Sequence, residues 1–252
     1  MPLANHDGQP LSIGFVGAGQ MGGAMIKGLV KAEACRAEHI SVFDVRQDAV
    51  ASLQATCPGL KSVADSSAVC SNAEMVVIAV EPKDAPMVCA ELAKTPGSAQ
   101  KVYVSLCAGV TLKSLAGWLQ PPVGSKRSKS DGDLKMARVM PNTPCVVQEQ
   151  AAGYICSAAC SAADAAMVGS MLGALGSALK VHEESDLDAV TGVSGSGPAY
   201  VFQVTSTPLT LARSPSHSRD RLSHSTSRPP RAPTPLVLIG PMPILAVLAR
   251  SL

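Results

Sequence analysis

Aromatic residues are scarce: three Phe, three Tyr and one Trp make up 3% of 252 residues. With so few rings, the 46% of hydrophobic residues must build a core from Ala, Val, Leu, Ile and Met. That suits a parallel sheet covered on both faces by helices. None of the eight cysteines (35, 57, 70, 89, 107, 145, 156 and 160) forms a C-x-x-C pair, so the usual zinc spacings are excluded. No metal site is expected. A disulfide framework does not suit a chain of this length, and reduced thiols filling an intracellular core are expected instead. No apolar run reaches the roughly 18–20 residues that a membrane span needs. The nearest, Leu236 to Leu248, is interrupted by Pro241 and Pro243. The first ten residues, MPLANHDGQP, are polar and hold no Arg, which fits neither a secretory signal nor a transit peptide. A cytoplasmic protein is the expectation. The net charge is only +2 and is unevenly spread. Residues 204–252 hold six Arg, no Lys and one acidic residue; the first 203 hold 15 basic against 18 acidic residues. Nothing in that mildly acidic body suggests nucleic-acid or membrane binding.

The stretch from Leu11 to Leu29, LSIGFVGAGQMGGAMIKGL, organises the rest. Ser12 to Val16 reads as a buried strand and Met21 onward as a helix, with Met21, Met25 and Leu29 on one face. Between them Gly17, Gly19 and Gly22 follow the spacing G-x-G-x-x-G. The first glycine permits a sharp turn, the second lets a pyrophosphate reach the backbone, and the third lets helix and strand pack closely. Free N–H groups at the helix start would face the phosphates. The strand before and the helix after make this stronger than the bare motif.

A second strand, Ile40 to Phe43, ends in Asp44. A carboxylate there is placed for the ribose hydroxyls of an adenosine and favours NAD, because it repels a 2′-phosphate. Arg46 points the other way, toward NADP, so the sequence leaves the choice open. Asp44 and Asp48 also read as ordinary solvated loop acids. Asp65-Ser66-Ser67 looks like a helix cap. Met75 to Val80 is a strand closed by Glu81-Pro82, and Val102 to Leu106 is one that runs into Cys107-Ala108-Gly109. In doubly wound sheets ligands bind beyond the strands' carboxyl ends, so these tips should line one crevice with Gly17 to Gly22.

Further on, Pro121 to Lys135 reads as a polar surface loop, and its Lys/Arg cluster as solvated charge. Ala137 to Met140 is a strand; Ala152 to Cys156 and Ala178 to His182 read as an antiparallel extension. Ala162 to Leu175 is a helix whose Met167 and Met171 belong in the core. His182 reads as a surface histidine. Asp188 to Thr191 is a short helix, Ser194 to Gly197 a tight loop, and Pro198 the first turn of a new helix. After Phe202 the pattern collapses. Ser, Thr, Pro and Arg supply 23 of the 32 residues from Val204 to Pro235, a composition expected to stay disordered.

The chain resembles the pyrroline-5-carboxylate reductase family from about Ile13 to Phe202. The resemblance rests on GFVGAGQMG (Gly14 to Gly22), AVEP (Ala79 to Pro82), VSLCAGV (Val104 to Val110), RVMPNTP (Arg138 to Pro144) and DAVTGVSGSGPAYVF (Asp188 to Phe202). It implies an α/β fold, a Rossmann-like doubly wound, mostly parallel sheet over residues 12–184 after a short N-terminal tail at 1–11. The start of a helical dimerisation domain follows at 185–203, truncated, and then a disordered tail at 204–252. It implies reduction of 1-pyrroline-5-carboxylate to L-proline with NADPH or NADH, a small-molecule substrate and a homo-oligomer. Carried over, the cofactor contacts are Gly17, Ala18, Gly19, Gln20, Met21, Gly22, Asp44, Ser66, Ala79, Val80, Glu81, Pro82, Leu106, Cys107 and Ala108. Glu184 matches a position close to the product proline.

Three departures stand out. Glu81 occupies a position usually held by Lys, and Asp44 one often held by a small polar residue. The D-x-V-x-(S/T)-P-G-G-(T/A)-T motif, which implies the substrate-carboxylate site and the proton donor, occurs nowhere after Phe202. No catalytic residue is therefore assigned. The abrupt change at Gln203 is what a read-through intron or a frameshift would leave. Two other readings stay beside the reductase: an inactive NAD(P)-binding remnant that partners full-length chains, and a hydroxy-acid dehydrogenase using His182 or Lys83.

Overall fold

A computed structural model describes residues 2–120 and 133–199. The expected disordered tail, the apolar run Leu236 to Leu248 and most of the basic loop after Pro121 lie outside the described residues. In chain order the elements are β1 (Ile13–Val16), α1 (Gln20–Lys31), β2 (Ile40–Phe43), α2 (Gln47–Thr56), β3 (Lys61–Ser62), α3 (Ser66–Asn72), β4 (Met75–Ile78) and α4 (Ala85–Lys94). They continue with β5 (Val102–Ser105), α5 (Leu112–Trp118), β6 (Lys135–Met140), β7 (Gln150–Cys156), α6 (Ala162–Gly173), β8 (Gly176–Lys180) and α7 (Asp186–Val190).

One eight-stranded sheet runs in the order β3-β2-β1-β4-β5-β6-β7-β8. The first six strands are parallel, as each helix returns the chain to the same edge. β7 is antiparallel to β6, as expected. β8 is parallel to β7, which corrects the expectation of antiparallel pairing for the last strand. The connection through α6 is a crossover long enough for parallel pairing, which a two-residue hairpin could not provide.

Alternate residues of the central strands enter two different cores. Ile13, Phe15, Met75, Val77, Val102 and Val104 pack on the face covered by α1, α2 and α6. Val16, Val76, Ile78 and Tyr103 pack on the face covered by α3, α4 and α5. All ten are no more than 3% exposed, so the continuous apolar runs reflect burial on both faces. Each such side chain contributes about 1.5–3 kcal/mol relative to staying in water. Met171 is fully buried and Met167 nearly so, as the helix pattern requires. Asp65 caps α3 by accepting the Ala68 N–H at 2.7 Å.

α7 packs its Leu187 and Val190 with Val181 against Met140, Ile155 and Leu179. Past it, Thr191–Gly195 continues as a π-helical turn. That corrects the expectation of a loop beginning at Ser194. The wide turn is held from outside the helix: Asn142 Nδ2 donates to the Ser194 carbonyl and hydroxyl, both at 3.2 Å. Ser194 Oγ donates in turn to the Ala151 carbonyl, and Asn142 Oδ1 accepts the Ala151 N–H at 2.9 Å. Among the described residues no helix is long and apolar enough to cross a membrane.

Candidate cofactor and substrate site

The strand tips form one continuous row. Gly17 N–H donates to the Phe43 carbonyl at 2.8 Å, Ala79 N–H to Val16 at 2.8 Å, and Leu106 N–H to Ile78 at 3.0 Å. The Cys107 thiol donates to the Val80 carbonyl at 3.4 Å and ties the β4 and β5 tips together. Thus Asp44, the glycine turn, Ala79 to Pro82 and Leu106 to Ala108 adjoin along one edge of the sheet.

Each glycine of the turn has its own reason. Gly17 has φ +109°, and a Cβ there would collide with the Ala79 carbonyl. A Cβ on Gly22 would collide with the Gly17 carbonyl, so the third glycine lets α1 sit on the turn. At Gly19 a Cβ would meet only Arg46 Nη2, at 3.4 Å. Its position is open, apart from one cation. Gly19 is also the N-cap of α1; no side chain caps that end and its first turn holds no acidic residue. Uncapped N–H groups, a partial positive charge and a nearby guanidinium converge on one open spot, which suits a phosphate group.

Asp44 is placed differently from a free ribose acceptor. Its Oδ2 accepts the Ala18 N–H at 2.7 Å and its Oδ1 accepts the Arg46 N–H at 2.8 Å. The carboxylate side chain is 10% exposed, so Asp44 is no ordinary solvated acid; it ties the β2 tip to the glycine turn. Arg46 Nε lies 3.6 Å from it while the Arg46 side chain remains 60% exposed. Asp48 is exposed.

Ser66 is 1% exposed and its hydroxyl finds no partner among the described residues. Glu81 and Lys83 form an exposed ion pair at 2.7 Å, and the Lys83 ammonium lowers the Glu81 carboxyl below its ordinary range. Leu106 is half-buried, Cys107 buried and Ala108 exposed, which presents a small apolar ledge. Burial pushes the Cys107 thiol upward and outweighs the lowering by Ser105 and Val80, so it stays neutral.

Glu184 reaches the same end of the sheet. Its Oε1 accepts the Leu112 N–H at 2.8 Å in the first turn of α5 and pairs with Arg138 Nη1 at 3.1 Å. The Arg138 side chain is 8% exposed, and its Nη2 lies 3.6 Å from Asp188. Sequence reasoning gave Arg138, Asn142 and Ser194 no role beyond membership of motifs. The signal was present: a cation in the strand KMARVM, opposite buried Ser105, demands a counter-ion. His182 and Lys83 are both exposed, and the Lys83 ammonium is taken up in its ion pair with Glu81.

Comparisons with known proteins give the family and the fold. A family model described as NADP oxidoreductase, coenzyme F420-dependent, matches residues 12–109. A pyrroline-5-carboxylate reductase from Methanosarcina acetivorans is 33% identical over 192 residues, covering 76% of this chain and 66% of the relative. One from Corynebacterium melassecola is 33% identical over 196 residues, covering 77% of this chain and 67% of the relative. The solved structure of a pyrroline-5-carboxylate reductase from Coxiella burnetii superposes with a TM-score of 0.68 at 28% identity, covering 80% of this chain and 70% of that one. The chain thus spans just under two thirds of the length of the Methanosarcina relative.

Proposed function

The chain belongs to the pyrroline-5-carboxylate reductase family, and from that premise we propose that it binds NADPH or NADH at the β1–α1 turn and reduces 1-pyrroline-5-carboxylate to L-proline, the last step of proline synthesis. The observation that carries this reading is the open, uncapped start of α1 at Gly19 with Arg46 beside it. The N–H groups of Gln20, Met21 and Gly22 would receive the pyrophosphate, with Gly17, Ala18 and Gly19 as its floor. Because the Asp44 carboxylate is already engaged by two backbone N–H groups, the Arg46 guanidinium is the freer partner for an adenosine ribose. That favours NADPH, whose 2′-phosphate it would neutralise.

The bound nicotinamide supplies a hydride. The ledge of Leu106, Cys107 and Ala108 would support its ring, with Ala79, Val80, Glu81 and Pro82 as the opposite wall. A neutral Cys107 and a side chain no larger than a methyl at Ala108 keep that approach dry and uncrowded. Glu184, fixed against Arg138 and the start of α5, would stand at the substrate end. We place the enzyme in the cytoplasm, acting on a free small molecule as a homo-oligomer, as the family resemblance implies.

Calorimetry with both coenzymes, followed by absorbance of the reduced coenzyme in the presence of pyrroline-5-carboxylate, tests this. Binding with turnover supports the reading, and absence of binding overturns it. Binding without turnover supports the second reading, a cofactor-binding chain that partners longer relatives.

A further inference from the structure

All eight cysteines are free, and six of them (35, 57, 70, 89, 107 and 145) are buried. Burial pushes several of those thiols upward, Cys35 to about 11, Cys89 to about 12 and Cys145 to about 11. The two half-buried cysteines, Cys156 and Cys160, are neighbours in space as well as in sequence. Cys156 ends β7, opposite Ala137 of β6. The chain then turns at Ser157, whose N–H donates to the Met136 carbonyl at 2.7 Å, and Cys160 N–H donates back to the Ser157 carbonyl at 3.0 Å. The turn is pinned a second time, because Ser157 Oγ donates to the Leu134 carbonyl and accepts the Met136 N–H, both at 3.1 Å. Cys160 therefore comes back beside Cys156, with its sulfur 3.5 Å from the Met136 carbonyl and 3.7 Å from Ser157 Oγ.

The surroundings separate the two thiols. A hydrogen bond shared between them lets Cys160 lose its proton below the ordinary thiol value and holds Cys156 above it. Cys160 directly precedes Ser161, the N-cap of α6, where partial positive charge favours a thiolate. The Lys180 charge on β8 favours ionisation of Cys156, and Asp164 opposes ionisation of both thiols. The Asp164 charge is itself partly offset by Lys135 Nζ, 3.2 Å from each of its oxygens.

We propose that Cys156 and Cys160 are a peroxide-reactive pair that closes a reversible disulfide, Cys160 attacking and Cys156 resolving. The Cys160 sulfur takes one peroxide oxygen as the O–O bond breaks, giving a sulfenic acid and releasing the other oxygen as water. The Cys156 sulfur then bonds to the Cys160 sulfur and the sulfenic oxygen leaves as a second water. Two thiols are oxidised and one hydrogen peroxide is reduced to two waters. A dithiol reductant reverses the change. The bridge would clip the end of β7 to the start of α6, and the inference does not depend on the cofactor reading.

The test treats the full, reduced chain with one equivalent of hydrogen peroxide, alkylates the remaining thiols and maps the peptides by mass. An intramolecular bridge between positions 156 and 160, formed at least about tenfold faster than any of the six buried thiols is modified, supports the proposal. Oxidation of the buried thiols at a similar rate, or only bridges between chains, overturns it. Two variants assign the roles. Cys156→Ser should leave a sulfenic acid on Cys160 that dimedone traps, and Cys160→Ser should leave Cys156 as slow as the buried thiols. The reverse pattern would refute the assignment of attacker and resolver, and the wild-type map decides the bridge itself even if a variant misfolds.

Discussion

Arg138 and Glu184 lie 46 positions apart and form a 3.1 Å ion pair that joins β6 to the loop before α7. Glu184 also accepts the Leu112 N–H, so one carboxylate fixes α5, β6 and that loop together. Removing it as Glu184→Ala leaves a nearly buried guanidinium whose one remaining ion-pair partner among the described residues is the exposed Asp188 at 3.6 Å. The expected loss is about 2–3 kcal/mol in chemical denaturation, the cost of stranding a charged hydrogen-bonding group. Arg138→Met combined with Glu184→Ala should cost less than the two single changes added together, because the residues act as a pair. Strict additivity would show that they are energetically independent.

The three glycines of the β1–α1 turn should respond differently to alanine. Gly17→Ala is strained by both its φ of +109° and the Ala79 carbonyl, and Gly22→Ala by the Gly17 carbonyl. Each should lower stability by about 1–3 kcal/mol, the usual scale of overpacking. Gly19→Ala meets only the Arg46 side chain, at 3.4 Å, and should melt within a degree or two of the parent. Its coenzyme affinity should nevertheless fall about tenfold or more, since the added methyl occupies the place of a phosphate oxygen. Unchanged affinity in Gly19→Ala would move the phosphate site elsewhere.

Arg46→Ala separates the two coenzymes. The side chain is 60% exposed, so its loss should barely alter stability. A charge-assisted contact is worth about 1.5–3 kcal/mol, so NADPH binding should weaken by about 10- to 100-fold, with NADH changed by less than about threefold. Equal weakening of both coenzymes, read by calorimetry at constant ionic strength, would assign Arg46 to the pyrophosphate instead.

Much of this was legible in the chain because the central strands are buried on both sides. Met75 to Ile78 and Val102 to Val104 are short continuous apolar runs, and β-to-α order then places their tips together. Strand direction at the far edge was not legible. The apolar pattern of β8 is the same whichever way it runs, and the crossover through α6 permits the parallel pairing. Nor was the π turn at Thr191–Gly195, where a Gly/Ser-rich stretch reads as loop until Asn142 binds it from another element. The engagement of Asp44 was hidden for the same reason: its partners are backbone N–H groups, which no side-chain pattern records.

Asp164 gives a pH dependence whose sign follows from its partners. It is 1% exposed, yet belongs to a reciprocal cap with Ser161 and pairs with Lys135. Burial alone would raise its carboxyl, but the hydrogen bonds from Ser161 and Lys135 outweigh burial and hold it below the ordinary carboxylate range. A group that is more acidic in the folded than in the unfolded chain contributes its stability fully above the unfolded value. That contribution is then lost as pH falls through the folded one. Stability should therefore drop as pH falls from about 5 toward 2, with unfolded Asp near 3.9. Asp164→Asn keeps the shape while removing the titration, so it should be less stable than the parent at pH 7 and show a shallower acid limb in denaturant midpoints. Parallel acid limbs in the two proteins would place the acid sensitivity on other carboxylates, among which Glu74 is held low by Asn5 and Ser12 in the same way.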